Sequence, residues 1–167
     1  WVDAEGETFG LPKDFDTTAF FYNTAMLEEA GLTPEDLWAA EWNPTDGGTF
    51  EQIVARLTVD TAGVRGDEPG FDPTSIAVYG LGINPNYEET GQMQWANFTG
   101  TLDWDYLDAN PWGTRYNFDD AQFQDTIGWL YGLADKGYAP AAGVFSEETL
   151  TQGGSGQGAR GTNGSWA

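Results

Sequence analysis

Short apolar runs alternate with helical stripes along this chain, and that alternation limits the fold more than any other feature. Ala19 to Tyr22 and Ile76 to Ile83 read as strands, the first of them buried. Ala159 to Trp166 reads as a last strand. Between them, Phe50, Ile53, Val54 and Leu57 recur at i, i+3, i+4 and i+7, which marks one buried helix face. Phe123, Ile127, Leu130, Tyr131 and Ala134 give a second stripe, closed by Gly137 and Pro140. Strands separated by helices imply an α/β layer fold, a small sheet flanked by helices. Three strands are few for 167 residues. The expectation is a sheet completed by further chain.

Local signals place the helix ends. Asn23 or Thr24 can cap a helix whose inward residues are Met26, Leu27 and Ala30, with Gly31 ending it. Thr33-Pro34-Glu35-Asp36 combines a cap, Pro in the first turn and acids at the positive helix end. Thr49 and Gln52 have the spacing of a capping box. Residues 60–75 are a Gly-, Pro- and Asp-rich loop, with a weakly periodic helix expected over 89–98. Ser146 can cap a short helix, and Gly153 to Gly158 reads as flexible loop.

Composition removes whole classes of function. The chain has 6 basic and 27 acidic residues, a net charge of −21, and neither Cys nor His. Phosphate neutralisation needs clustered Lys and Arg, so nucleic acid is excluded, and an anionic membrane surface with it. Catalysis by Cys–His or Ser–His–Asp, zinc fingers and haem attachment lack their residues. No run approaches a membrane span, so direct membrane insertion of this segment is not expected. Hydrophobic content of 40% and aromatic content of 15% argue for a folded core despite the charge.

Other motifs carry little. Gly156 to Gly161 matches GxGxxG, but the dinucleotide fingerprint needs a helix after it, and a strand is expected here. Asp103, Asp105 and Asp108 lack the spacing of a calcium loop and read as a solvated acidic loop. Paired carboxylates for glycoside hydrolysis abound in so acidic a chain and discriminate nothing. No cofactor is implied.

Tryptophan is more informative. Trp42, Trp95, Trp104, Trp112 and Trp166 lie in or beside expected loops and strand ends rather than on the helical stripes. Indole rings pack on the apolar face of a pyranose, while amides and carboxylates meet its hydroxyls. Gln92, Gln94, Trp95 and Asn97 form the densest such cluster.

Residues 10–32, GLPKDFDTTAFFYNTAMLEEAGL, resemble the bacterial extracellular solute-binding proteins of family 1, the maltose-binding-protein-like group. The matching features are the Gly10-Leu11-Pro12 turn, the polar segment to Thr18, the apolar strand ending in Tyr22-Asn23, and the helix ending in Ala30-Gly31-Leu32. Residues 42–58, Tyr79-Gly80-Leu81, residues 136–140 and residues 155–166 resemble later segments in the family's order. Arg160 stands where the family has Met or Leu, and Gly158 and Gly161 replace larger residues, so looser packing of that strand is expected.

The resemblance implies one lobe of a two-lobed periplasmic-binding-protein-like (type II) fold, residues 1–167, with 10–18 as the inter-lobe crossing. It implies capture of a carbohydrate for an ABC permease, without catalysis. The expected location is extracellular: periplasmic, or on the cell surface as a lipoprotein. It implies ligand-binding roles for Asp16, Thr17 and Trp166, with Gln92, Gln94, Trp95 and Trp42 as further contacts. A stand-alone carbohydrate-binding module and a glycoside hydrolase fragment are the alternatives.

Overall fold

The computed structural model describes residues 2–13, 15, 17–83, 91, 94–109, 112–141, 144 and 158–164. The first strand, β1 (Thr18–Tyr22), is rich in β-branched and aromatic residues. Asn23 then starts α1 (Thr24–Glu29), its side chain accepting from the N–H groups of Ala25 and Met26 at 3.0 and 3.3 Å. Leu27 and Ala30 are buried, and Gly31 ends the turn at φ +74°. Asn23→Ala is expected to cost about 1 kcal/mol, read from the urea midpoint.

Helix α2 (Pro34–Trp38) opens as the sequence implies. The Asp36 carboxylate accepts from both the Thr33 N–H and the Thr33 hydroxyl at 2.8 Å. Helix α3 (Gly48–Leu57) buries Phe50, Ile53, Val54 and Leu57 as expected. Its start differs. The N-cap is Gly47 at φ +75°, and the expected Thr49–Gln52 box does not form. The Thr49 hydroxyl instead accepts from the Glu41 N–H at 2.8 Å and donates to the Glu41 carbonyl. A distant backbone outcompetes the local partner.

β4 (Arg160–Gly164) pairs antiparallel with β1, in register from Thr18↔Gly164 to Tyr22↔Arg160. β2 (Val59–Asp60) pairs antiparallel with β3 (Ile76–Val78). Parallel bridges Tyr79↔Gly158 and Gly82↔Gly161 lay the chain after β3 along β4. The order across these strands is therefore β2, β3, β4, β1. The strand expected over 76–83 is regular only to Val78, and bridges replace the ladder beyond it. Gly80 passes so close to α3 that an added Cβ would lie 2.0 Å from the Val54 carbonyl oxygen. A Cβ at Gly161 would lie 2.7 Å from the Gly82 carbonyl oxygen. At Gly161 the missing side chain permits a close backbone approach.

β1 also departs from expectation. It is not buried: Ala19, Phe20 and Phe21 are all exposed, because β4 is its sole neighbour among the described residues. The strand that follows Gly158 disposes of the dinucleotide motif, which needs a helix there.

Asp60 organises the loop between β2 and β3. Its buried carboxylate accepts N–H groups from Ala62, Val64 and Asp72 at 2.8 to 3.0 Å. Those donors, Val64 first, hold the carboxyl below the usual carboxylate range. A carboxyl lowered on folding stabilises the fold above its unfolded pKa of about 3.9, and that contribution is lost as pH falls through the folded value. Thermal midpoints should therefore fall below about pH 4, and Asp60→Asn should flatten that fall while lowering the plateau.

The helix expected over 89–98 begins only at Ala96 within the described residues: α4 (Ala96–Thr99), continued by a 3-10 turn (Gly100–Leu102). The long helix is α5 (Ala121–Asp135). Its buried face is Thr126, Trp129, Leu130 and Leu133, rotated from the expected stripe, and Tyr131 is exposed. Burial of Thr126 is possible because its hydroxyl donates to the Gln122 carbonyl at 2.7 Å. Trp129, Leu130 and Leu133 meet Phe50, Val54, Leu81 and Phe98 in the main core, while Leu27, Ile53, Leu57 and Ala159 form a second cluster. Gly137 closes α5 at φ +73°. No helix among the described residues is long and apolar enough to cross a membrane. Ser146 and residues 153–157 lie outside the described residues.

Candidate functional site

The loop before α3 carries Trp42, and side-chain amide chemistry holds it. Asn43 Oδ1 accepts from the N–H groups of Thr45 and Asp46, while Asn43 Nδ2 donates to Asp46. Asp46 also accepts from the Gly48 N–H, which holds its carboxyl below the usual range. Gly47 cannot be replaced freely, because a Cβ there would lie 2.5 Å from Trp129 Nε1. That indole donates to Glu51 at 2.7 Å, and Lys136 donates to the other Glu51 oxygen. The half-buried Trp42 ring packs on Phe98 and Trp129, with centroids 5.1 and 5.2 Å away.

Trp42 thereby forms one wall of a groove of about 360 Å³ against β1. Phe20 and Tyr22, two apart on the strand, share its β1 side. Phe20 leans on Phe50 and Phe98 with centroids 5.6 and 6.1 Å away. Leu37, Trp38 and Ala40 close the side near α2; Asn97, Phe98 and Thr101 close the other. Phe20 and Trp38 are 40% and 75% exposed, so their rings are open to a ligand. Among the described residues, no lining side chain is charged, although the chain carries −21. A shallower hollow over Leu32, Ala39 and Ile53 is flanked instead by Asp36 and Arg56.

The residues singled out from sequence divide into distinct groups. Trp42 lines the groove. Thr17 is exposed at the end of the sheet where β1 begins and β4 leaves, since Thr18 pairs with Gly164. Asp16, Gln92 and Trp166 lie outside the described residues. Gln94 and Trp95 are buried, at 6% and 7% exposure. At 7% exposure, with the rings of Trp104, Phe118 and Phe123 packed about it, Trp95 has no open face for a sugar. Its placement among ligand contacts is corrected accordingly: it is a core residue.

Sequence reasoning missed Phe20 and Trp38. No sequence signal marked Trp38, which borders the groove together with its neighbour Leu37 from the short helix α2. Asp103, Asp105 and Asp108 gather no metal site among the described residues. Asp108 instead accepts from the N–H groups of Thr114 and Arg115.

No known protein-family model and no curated protein matches the chain. Solved structures do. UspC of M. tuberculosis matches with a TM-score of 0.73 and 24% identity, over 89% of this chain and 36% of that one. An ABC transporter solute-binding protein from Thermotoga lettingae TMO, bound with α-D-tagatose, matches with a TM-score of 0.62 and 20% identity. That match covers 90% of this chain and 33% of the other. The chain thus spans about a third of the length of either structure. The likeness establishes the fold: an α/β lobe, with a small sheet flanked by helices, shared with part of a solute-binding protein.

Proposed function

We propose that this chain is one lobe of a hinged, extracellular binding protein that captures a neutral carbohydrate and presents it to an ABC permease. The observation that carries this reading is a groove lined, among the described residues, by uncharged and mostly aromatic side chains in a strongly acidic chain. Aromatic rings give the apolar face of a pyranose large contact area at low entropy cost. Like-charge repulsion disfavours anionic ligands at such a protein and leaves a neutral one unaffected. The family-1 resemblance supports the same class of ligand, and so does the sugar held by the Thermotoga protein.

In this reading residues 10–18 cross between lobes, and the described part of that segment contains no helix and exposes Leu11 and Phe15. Asp16, Thr17 and Trp166 supply contacts from the crossing and from the chain beyond β4. Hinge closure removes water from the site and brings the second set of contacts. In this reading binding is the whole reaction, and among the described residues the groove is lined by aromatic, aliphatic, amide and hydroxyl side chains.

Isothermal titration of neutral oligosaccharides into the two-lobed protein tests this. A saturable isotherm whose heat returns to baseline is expected. Heat that continues after mixing means turnover and favours the glycosidase reading. Full affinity from these 167 residues alone favours the stand-alone module.

A further inference from the structure

The aromatic wall of the groove has a second layer behind it. Trp129 of α5 is 7% exposed and does not line the groove. Its ring backs three that do: the centroids of Phe98, Trp42 and Phe50 lie 5.0, 5.2 and 6.1 Å away. Their planes are inclined to it by 62 to 67°. A close-packed interior leaves little slack, so a turn of Trp129 has to displace that wall.

An indole is not symmetric, and the torsion that orients it has two broad wells. A flip exchanges its five- and six-membered rings against every neighbour. Glu51 of α3 chooses between the two orientations. One of its carboxylate oxygens accepts the Trp129 Nε1–H at 2.7 Å, and the other accepts from Lys136. The Glu51 side chain is 13% exposed. Gly47 sits against the same bond, since a Cβ there would lie 2.5 Å from both Glu51 Oε2 and Trp129 Nε1. With its acceptor withdrawn, the buried indole N–H has no water to turn to, and the ring is driven to reorient.

We propose that Glu51 is a positioning residue for the groove: its reach to Trp129, rather than its charge, sets the wall formed by Trp42, Phe50 and Phe98. The burial of its two partners separates reach from charge. The Lys136 side chain is 47% exposed, and an ion pair so open to water contributes little. Its ammonium finds water when the carboxylate is gone. Trp129 is buried and has no such exchange. The effect of Glu51 on affinity rests on the groove being the sugar site; its effect on the Trp42 ring does not.

Three conservative variants of the two-lobed protein test this. Glu51→Gln keeps the length and an amide oxygen for the indole but discards the charge. Glu51→Asp keeps the charge but draws the carboxylate back by one methylene. Lys136→Met removes the ion pair and leaves the bond to the indole. Circular dichroism and thermal melts verify folding. In protein labelled with 5-fluorotryptophan and free of sugar, the Trp42 resonance is expected to move in Glu51→Asp and to hold its place in the other two. Calorimetry with neutral oligosaccharides is expected to show Kd about fivefold weaker in Glu51→Asp, with Glu51→Gln and Lys136→Met close to wild type. An ion pair that only stabilises the fold predicts the reverse order, with Glu51→Asp the mildest change. A Trp42 resonance unmoved by Glu51→Asp, or moved as far by Lys136→Met, overturns the proposal. So does an unchanged Kd in Glu51→Asp when the wild type binds sugar. Absence of saturable binding by the wild type refutes the groove reading instead, and the Trp42 resonance then decides the role of Glu51.

Discussion

Trp95→Ala is expected to destabilise the fold by about 3–5 kcal/mol and to leave no specific defect in sugar recognition. The ring is 7% exposed, and the ring centroids of Phe123, Trp104 and Phe118 lie 5.1, 5.8 and 6.2 Å from its own. Gly91 shows how tightly it is held: at φ +61°, an added Cβ there would lie 1.9 Å from the Trp95 ring. Truncation to Ala removes the transfer energy of a large aromatic and leaves a cavity that those rigid neighbours cannot fill. Chemical denaturation measures the loss. A variant of wild-type stability with weakened sugar affinity would return Trp95 to the ligand site.

Trp38→Ala is expected to behave in the opposite way. The ring is 75% exposed and lines the groove from α2. Little packing is lost with it, so stability should change by less than about 0.5 kcal/mol. Sugar binding by the two-lobed protein should weaken by about 2 kcal/mol, or roughly thirtyfold in Kd. Calorimetry on the same preparation gives both numbers. Unchanged affinity would remove the α2 side of the groove from the site.

That inversion of two tryptophans shows what was legible in the sequence. Local chemistry reads well. Asn23 caps α1, Thr33 and Asp36 open α2, and Gly31 and Gly137 end their helices at positive φ. Each of these choices is decided by atoms within four residues. Thr49 fails because its partner is Glu41, across a loop. The face of α5 turns because Thr126 satisfies its own hydroxyl within the helix, which hydrophobicity cannot reveal. Exposure of a loop Trp is decided by which segment crosses over it. Trp95 is covered by Trp104, Phe118 and Phe123, all later in the chain, whereas the ring of Trp38 stays open beside β1. The aromatic richness of the chain was visible in composition; the choice of rings was not.

Fluorine NMR of the two-lobed protein, labelled with 5-fluorotryptophan and titrated with the sugar that binds most tightly by calorimetry, tests the central claim most directly. Single Trp→Phe variants assign the resonances. The groove account predicts that Trp38 and Trp42 shift on saturation, while Trp95 and Trp104, enclosed in the core, stay where they are. Saturable binding with Trp38 and Trp42 unmoved would contradict it.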